Sequence, residues 1–139
     1  MDKTEQNIKM CEKAVKIQEA WEPKEGDYAY SQRGGVYVLF TQVILIGDAL
    51  GRFKFDHTWL PRQDQLQEMA WKDIVEKDPL RGICVPRQKP EILILKFKQY
   101  VFGDGSYLQL ETLEQLWLAF VMQEKFNKTW NGEEWIEAE

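Results

Sequence analysis

The single histidine of the chain, His57, lies between Asp56 and Thr58 and could take part in acid–base chemistry. An imidazole exchanges protons near neutral pH, and a carboxylate neighbour stabilises its protonated form. On the strand that this segment predicts, however, adjacent residues point to opposite faces, so Asp56 and His57 would not pair. We therefore favour a structural or exposed histidine over a catalytic one.

Nucleophilic and metal-dependent chemistry has little support in the residue pattern. Ser31 and Ser106 lack the Gly-x-Ser-x-Gly arrangement that exposes a nucleophilic serine. Cys11 and Cys84 form neither a metal-binding nor a redox spacing, and buried free thiols are the favoured interpretation. The aspartates are scattered singly, which does not suit a metal ion. The sequence thus predicts a protein that is not an enzyme and that uses no cofactor or metal.

Six tryptophans in 139 residues are the most unusual feature of the composition. An indole buries a large apolar area but keeps one N–H that needs an acceptor, so it suits a core, a pocket or an interface. Three of them fall on or next to helical apolar stripes and are assigned to the core, namely Trp21, Trp71 and Trp117. Three lie beside turns and polar clusters and are the candidates for binding, namely Trp59, Trp130 and Trp135.

A polar cluster directly follows Trp59 in the segment Trp59-Leu-Pro-Arg-Gln-Asp-Gln-Leu-Gln67. Its long polar side chains, Arg62, Gln63 and Gln65, stand where a helix is predicted to begin. Free N–H groups at a helix start and an adjacent indole could hold a nucleotide or a small anion. The alternative, which we favour, is that Trp59 packs under the helix while the polar residues cap it.

The C-terminal segment Trp130-Asn-Gly-Glu-Glu-Trp135 also admits two interpretations. Asn-Gly is a strong turn signal, so the two indoles could fold back onto the last helix as a hydrophobic clasp. Alternatively, Trp130 and Trp135 could anchor a partner protein, since tryptophan dominates binding hot spots. We favour the clasp.

The net charge of −5, from 18 basic and 23 acidic residues, argues against non-specific binding to a polyanion. One basic stretch is the exception, and between Lys77 and Lys98 it also contains Arg81, Arg87, Lys89 and Lys96. It offers a third possibility, nucleic-acid binding, although a solvated strand face is the favoured interpretation. The polar N-terminus does not suit a secretory signal, and the apolar runs fall short of the ~20 residues that span a bilayer. We therefore expect a cytoplasmic protein.

The residue periodicity predicts a single α+β domain over residues 1–139. Residues 4–20 predict an amphipathic helix capped by Thr4, and residues 28–46 predict a hairpin whose long second strand is central. Residues 47–51 predict a turn and residues 52–59 a third strand, which completes a meander. A short helix is predicted over residues 63–75, and an irregular connection over residues 78–90.

The last third of the chain predicts a fourth strand and a final helix. Residues 91–102 begin as a continuous apolar run and then alternate with lysines, which favours a strand. In the final helix, Thr112 and Gln115 match a capping box, and the unbroken apolar run of residues 116–122 indicates enclosure on more than one side. The expected architecture is a mainly antiparallel sheet of about four strands packed with the N- and C-terminal helices and a short middle helix.

Three segments together resemble small uncharacterised proteins encoded by phages and prophages of Gram-positive bacteria. They are Trp21-Glu-Pro-Lys-Glu-Gly-Asp27, the segment from Trp59 to Gln67, and Leu113-Glu-Gln-Leu-Trp-Leu-Ala-Phe-Val-Met122 with the tryptophan tail after it. The resemblance touches most of the chain, and it is weakest over residues 78–90. It implies a phage-derived accessory protein in the cytoplasm of a bacterial host, and no functional residue can be transferred.

The leading hypothesis is therefore a non-catalytic accessory protein that binds a macromolecular partner, most simply a protein, with exposed tryptophans as its anchors. Abundant tryptophan and the absence of catalytic and metal patterns motivate it. The alternative is a small-ligand binder that sequesters a nucleotide or signalling molecule beside Trp59 and Arg62. Binding of nucleic acid through residues 77–98 is the second alternative.

Overall fold

A computed structural model describes residues 1–40, 47–80, 88–103 and 109–139 of the chain. The chain divides into two compact units, Met1–Arg62 and Gln63–Glu139. The first unit contains helices α1 (Glu5–Lys13), α2 (Val15–Glu19) and α3 (Asp48–Asp56) and strands β1 (Tyr28–Ser31), β2 (Gly35–Val38) and β3 (Thr58–Leu60). The second contains helices α4 (Gln63–Lys77), α5 (Gln88–Val101) and α6 (Leu113–Phe126) and strands β4 (Lys128–Trp130) and β5 (Trp135–Glu137). That the chain is a single domain stays a prediction.

The described residues mix helices with two small antiparallel sheets, so the mixed class is confirmed, but the sheet of about four strands is wrong. One sheet has three strands in the order β2-β1-β3, and the other is the β4-β5 pair. The sheets are smaller because two predicted strand segments are helical, as described below. No helix in the described part of the chain combines the length and the apolar character that crossing a membrane requires.

The N-terminal helix begins as predicted but is interrupted at Ala14. The Thr4 side chain accepts a hydrogen bond from the Asn7 N–H and so caps α1. At Ala14 the backbone turns to ψ 63°, which separates α1 from α2. The predicted apolar stripe is nevertheless buried, and its members are Met10, Ala14, Ile17 and Trp21. Val15 is exposed because the interruption rotates it away from the core.

Gln18 links this interruption to the sheet. Its amide nitrogen donates to the Cys11 carbonyl at 3.0 Å and to the Trp59 carbonyl at 2.9 Å. Its amide oxygen accepts from the Trp59 N–H at 2.8 Å. One side chain therefore satisfies both backbone groups of Trp59 on β3, the edge strand of the sheet, as a neighbouring strand would.

We expect Gln18→Met to lower the free energy of unfolding by about 2 kcal/mol. Methionine keeps the length of the side chain but leaves the N–H and the carbonyl of Trp59 without their partner, and each partly buried orphan is costly. The Cys11 carbonyl keeps the Ala14 N–H as a donor. Urea denaturation monitored by circular dichroism measures the change. Gln32→Met, at an exposed position in the same unit, is the control and should change the free energy by less than about 0.5 kcal/mol. Equal effects of the two substitutions would contradict the role of the Gln18 amide.

The hairpin of the first unit is confirmed, but its second strand is not central. Strand β1 pairs with β2 on one side and with β3 on the other, and Ala29 lies opposite both Tyr37 and Trp59. The central strand is thus β1, and β3 returns to β1 rather than continuing a meander. The remainder of the predicted second strand, residues 41–46, lies outside the described residues.

The predicted turn and strand over residues 47–56 are wrong, because this segment forms the helix α3. Phe53 and Phe55 alternate with charged residues, which imitated a strand pattern. In the helix, Phe53 instead reaches His57 four residues later, and the two rings stack with centroids 4.1 Å apart. Phe55 projects into solvent. Only the end of the predicted strand, Thr58–Leu60, pairs in the sheet.

The predicted strand over residues 91–102 is also wrong, because it forms most of α5. Leu93, Phe97 and Tyr100 recur at helical spacing on one side. The Phe97 ring stacks on Trp117 at 4.1 Å, and the Tyr100 ring lies 5.6 Å from that of Phe120. Packing against α6 thus selects the helix, for which Pro90 in the first turn is well suited. A short apolar run does not distinguish a helix from a strand by itself.

The final helix agrees closely with its prediction. The Thr112 side chain accepts from the Gln115 N–H, which confirms the N-cap, and the Gln115 amide oxygen accepts from the Glu111 N–H. Six consecutive residues, 117–122, are buried, which confirms enclosure on more than one side. Leu113 is exposed because it lies at the first position of the helix. The middle helix α4, predicted over residues 63–75, packs against α6.

Candidate functional site

The first unit contains a cleft of about 560 Å³ that we call the His57 cleft. A volume of this size falls in the range of small-molecule sites. Strand β1 and the hairpin turn supply one wall, the end of α3 and the start of β3 supply another, and α1 contributes one carboxylate. The lining residues are Glu12, Tyr30, Ser31, Gln32, Arg33, Phe55, Asp56, His57 and Thr58.

The His57 ring is held in one orientation at the end of α3. Its Nδ1 lies 2.7 Å from the Phe53 carbonyl oxygen. Because a carbonyl oxygen only accepts hydrogen bonds, Nδ1 carries the proton, and Nε2 of the neutral ring keeps its lone pair. The same bond satisfies a carbonyl in the last turn of the helix, as histidines near helix ends commonly do. The neutral ring can thus accept a hydrogen bond at Nε2.

His57 is also part of a continuous row of five aromatic rings that extends from the core. Trp59 stacks on Trp21 with centroids 6.0 Å apart, and Trp21 meets Phe53 at 5.6 Å. Phe53 stacks on His57, and the Tyr37 ring meets His57 edge-on at 5.7 Å. Burial raises the pKa of Tyr37, so its phenol stays neutral. Such contacts fix side-chain positions, so the row holds the imidazole rigidly at the cleft.

Charges of both signs surround the histidine. Arg33 lies at the hairpin turn, while Glu12 and Asp56 lie on α1 and at the end of α3, and all three are exposed. Exposed carboxylates accept hydrogen bonds, and a guanidinium offers a planar fork of donors to an anion. Ser31 is already engaged, since its hydroxyl accepts from the Gly34 N–H at 3.0 Å. The cleft is therefore equipped to bind a polar molecule.

The residues predicted to bind a ligand beside Trp59 do not line this cleft. Trp59 is buried at the core end of the aromatic row, where it stacks on Trp21; the packing alternative placed it instead under the helix that follows. The Arg62 guanidinium donates to the Gly26 carbonyl at 2.7 Å and lies 4.0 Å from the Asp27 carboxylate, so it fastens the turn before β1. Gln63 and Gln65, both half-buried, open α4 in the second unit.

The two C-terminal tryptophans form the predicted pair, but they do not have the exposure of surface anchors. Trp130 and Trp135 lie opposite each other on β4 and β5, and both indoles are buried with centroids 5.0 Å apart. The Asn131 side chain accepts from the N–H groups of Glu133 and Glu134, which closes the turn. Cross-strand pairing therefore turns the indoles inward. Trp71, by contrast, was assigned to the core and is only half-buried.

The two cysteines and the possible metal ligands give no second site in the described residues. Cys11 is a buried free thiol, as predicted. Burial, and then the Asp2 carboxylate, raise its pKa, so the reactive thiolate is disfavoured. Cys84 and Ser106 lie outside the described residues. Among the described residues, no group of three histidine, cysteine, aspartate or glutamate side chains could hold a metal ion.

The basic region predicted for nucleic acid has a different form from the one expected. Arg81 and Arg87 lie outside the described residues. Lys77 pairs with Asp73 at 2.8 Å, and Lys89 pairs with Glu68 and lies over the Trp71 ring. Lys96 and Lys98 are on the helix α5 rather than on a strand. A helix turns these side chains to different sides, so the expected strand stripe is not formed.

Of the cleft residues, His57 with its two neighbours and Ser31 were considered from the sequence, and Ser31 was set aside as a nucleophile. Arg33 could have been noted, because hairpin turns carry binding residues more often than the strands they connect. No sequence pattern pointed to Glu12 or Phe55. They lie at the cleft because of the positions of α1 and of α3, and the sequence of α3 had predicted a strand.

The resemblance to small phage and prophage proteins concerned three tryptophan-bearing segments. In the structure, each of these contributes a buried indole, namely Trp21, Trp59, Trp117, Trp130 and Trp135. Their shared property is thus packing, which many unrelated sequences achieve, and the phage origin stays a prediction. Comparisons with protein-family models, with curated proteins and with solved structures find no match to this chain.

Proposed function

We propose that this protein is a non-catalytic binding protein whose first unit takes up a small polar ligand in the His57 cleft. The observation that carries this proposal is the imidazole itself: its Nδ1 is bound to the Phe53 carbonyl, which leaves the Nε2 of this cleft-lining residue as an acceptor. A fixed polar group needs no reorganisation when a ligand arrives, which favours affinity. The proposal keeps the small-ligand hypothesis but moves the site from Trp59 and Arg62 to His57 and Arg33.

The ligand class that suits this cleft is a nucleoside or nucleotide. Phe55 is 91% exposed and Tyr30 half-buried, so each offers an aromatic face on which a base can stack. The carboxylates of Glu12 and Asp56 and the Nε2 of His57 would accept hydrogen bonds from the donors on a base. Arg33 would favour a phosphate group if the ligand carries one.

We expect Phe55→Ala to weaken nucleotide binding about tenfold, since stacking on one aromatic ring contributes roughly 1–3 kcal/mol. Phe40→Ala is the matched control, because Phe40 is 81% exposed, belongs to the same unit and does not line the cleft. Neither substitution should alter folding, as both rings are in solvent. Isothermal titration calorimetry with a panel of nucleosides and nucleotides measures the affinity.

Thermal shift provides the first screen, because a ligand at one hundred times its dissociation constant adds about 2.7 kcal/mol of stability. Arg33→Ala should remove any preference for nucleotides over nucleosides. A panel in which no compound stabilises the intact protein would contradict the proposal. Equal losses in the Phe55 and Phe40 variants would also contradict it.

Binding of a macromolecular partner is a second candidate function, supported by apolar side chains exposed on α5 and directly after its last residue. Ile94, Leu95 and Phe102 are 62%, 55% and 72% exposed. Large apolar groups in solvent commonly mark a contact surface. They replace the buried tryptophans as the candidate anchors of the proposed accessory role. Nucleic-acid binding has less support, because Lys77 and Lys89 are paired with carboxylates.

A further inference from the structure

The exposed α5 face combines apolar and charged side chains in a regular order along one side of the helix. It consists of Glu91, Ile94, Leu95 and Lys98 on α5 and of Phe102 directly after its last residue, all of which are exposed. At 3.6 residues per turn these five positions fall within an arc of about 100°. The opposite side of α5 packs against α6 through the Phe97 and Tyr100 rings. The exposed α5 face is therefore a distinct surface of the second unit.

The charges on this face have no partner among the described residues. Neither Glu91 nor Lys98 takes part in an ion pair there. They stand seven residues apart, or about 10.5 Å along the helix, which is too far for them to pair with each other. The apolar pair Ile94 and Leu95 lies midway between them. The order along the face is therefore negative, apolar, positive.

This order is self-complementary. If a second α5 is placed antiparallel to the first, the residue numbers increase along one helix while they decrease along the other. The two numbers of every facing pair therefore have the same sum. With the apolar pair at the centre, Ile94 faces Leu95 of the other copy, and in the same register Glu91 faces Lys98 of the other copy. An apolar centre with charged pairs at both ends is the usual anatomy of a protein interface. Twofold interfaces use one surface patch twice, as this register does.

We propose that α5 pairs with α5 of a second copy of this chain across a twofold axis that passes between Ile94 and Leu95. This inference takes up the second candidate function and gives its partner, and it does not depend on the His57 cleft. A single helix pair buries little area, so the dimer is weak, with a dissociation constant in the range of roughly 1–100 μM.

Charge reversal tests the register directly. Glu91→Lys places lysine opposite Lys98 of the other copy, and Lys98→Glu places glutamate opposite Glu91. Because each contact occurs twice by symmetry, either substitution should weaken self-association at least tenfold. The double variant Glu91→Lys/Lys98→Glu restores opposite charges and should dimerise like the native chain. An equimolar mixture of the two single variants should form a heterodimer although neither dimerises alone.

Sedimentation equilibrium across the concentration range measures the mass, with twice 16.5 kDa expected for the dimer. Lys96→Glu is the control, because it makes the same change of charge on another side of α5. A native chain that stays monomeric up to about 1 mM would overturn the inference. Dimerisation that neither single variant weakens would overturn it as well, and so would a double variant that fails to recover. The first of these results, a chain that stays monomeric, would leave the exposed α5 face to a partner other than a second copy.

Discussion

Asp27→Ala is expected to lower the free energy of unfolding of the first unit by about 3 kcal/mol. The Asp27 side chain is buried, and its Oδ2 accepts from the Trp21 indole N–H and from the Lys24 N–H, both at 2.9 Å. Hydrogen bonds to an ionised acceptor are the strong class. Alanine would leave both donors without this acceptor, and it would also remove the carboxylate near Arg62.

The loss should be located in the first unit, which hydrogen exchange can resolve. We expect faster exchange in peptides from residues 1–62, because the Trp21 indole N–H donates to the Asp27 carboxylate and the Trp21 ring stacks on Trp59. Asp27→Asn keeps the shape of the side chain and one accepting oxygen, so it should lower the free energy of unfolding by about half as much as Asp27→Ala. Glu25→Ala, an exposed acid in the same turn, is the control and should change the free energy by less than about 0.5 kcal/mol. A loss in the Asp27→Ala protein no larger than that of this control would contradict the structural role of the carboxylate.

Local signals in the sequence were sufficient where they did not depend on distant packing. The capping pair Thr112 and Gln115 needs only its own turn, and the hairpin around Gly35 needs only a positive φ, which is 70° there. Both were predicted. The pairing of Trp130 with Trp135 likewise follows from a four-residue connection and a turn dipeptide. In each case the decisive interaction lies within a few residues of the signal.

The strand predictions for two segments were wrong for one physical reason. An alternating or continuous apolar pattern is compatible with both the period of a strand and the period of a helix. Phe53 and Phe55 suggested a strand face, yet only Phe53 packs, against Trp21 and His57. In the segment 91–102, a helix and a strand would both place buried Leu93 and half-buried Phe97 on one side, and the two structures differ in where they place Leu95 and Tyr100. Contacts with α6 decide between them, and these contacts join residues that are far apart in the sequence.

The His57 cleft also depends on contacts between residues that are far apart in the sequence, so little of it could be predicted. His57 was considered, and Asp56 was judged unable to pair with it because strand neighbours diverge. The helix end changes that geometry, so Asp56 and His57 both line the cleft, together with Glu12 from α1 and Arg33 from the hairpin turn. Assembly of a site from three separate elements leaves no motif in any one of them.

Phe120→Ala is expected to lower the free energy of unfolding of the second unit by about 4 kcal/mol. Phe120 on α6 is fully buried, and its ring meets those of Phe97 and Tyr100 on α5 and that of Trp117 on α6 at 5.6–5.8 Å. Truncation removes the buried ring and leaves a cavity that these three neighbours cannot fill completely. Urea denaturation measures the loss.

Substitutions on α5 then test whether the side of this helix that carries Tyr100 packs against Phe120. Tyr100→Ala should destabilise the second unit, because its ring packs against Phe120, whereas Leu95→Ala should change the free energy by less than about 0.5 kcal/mol, because Leu95 is exposed. A strand would reverse this order, since Leu95 would share the buried face of Leu93 and Phe97. A larger loss for Leu95→Ala than for Tyr100→Ala would therefore contradict the helix. The measurement is made at several protein concentrations, and only a loss that does not depend on concentration is compared, so that self-association through the exposed α5 face does not contribute.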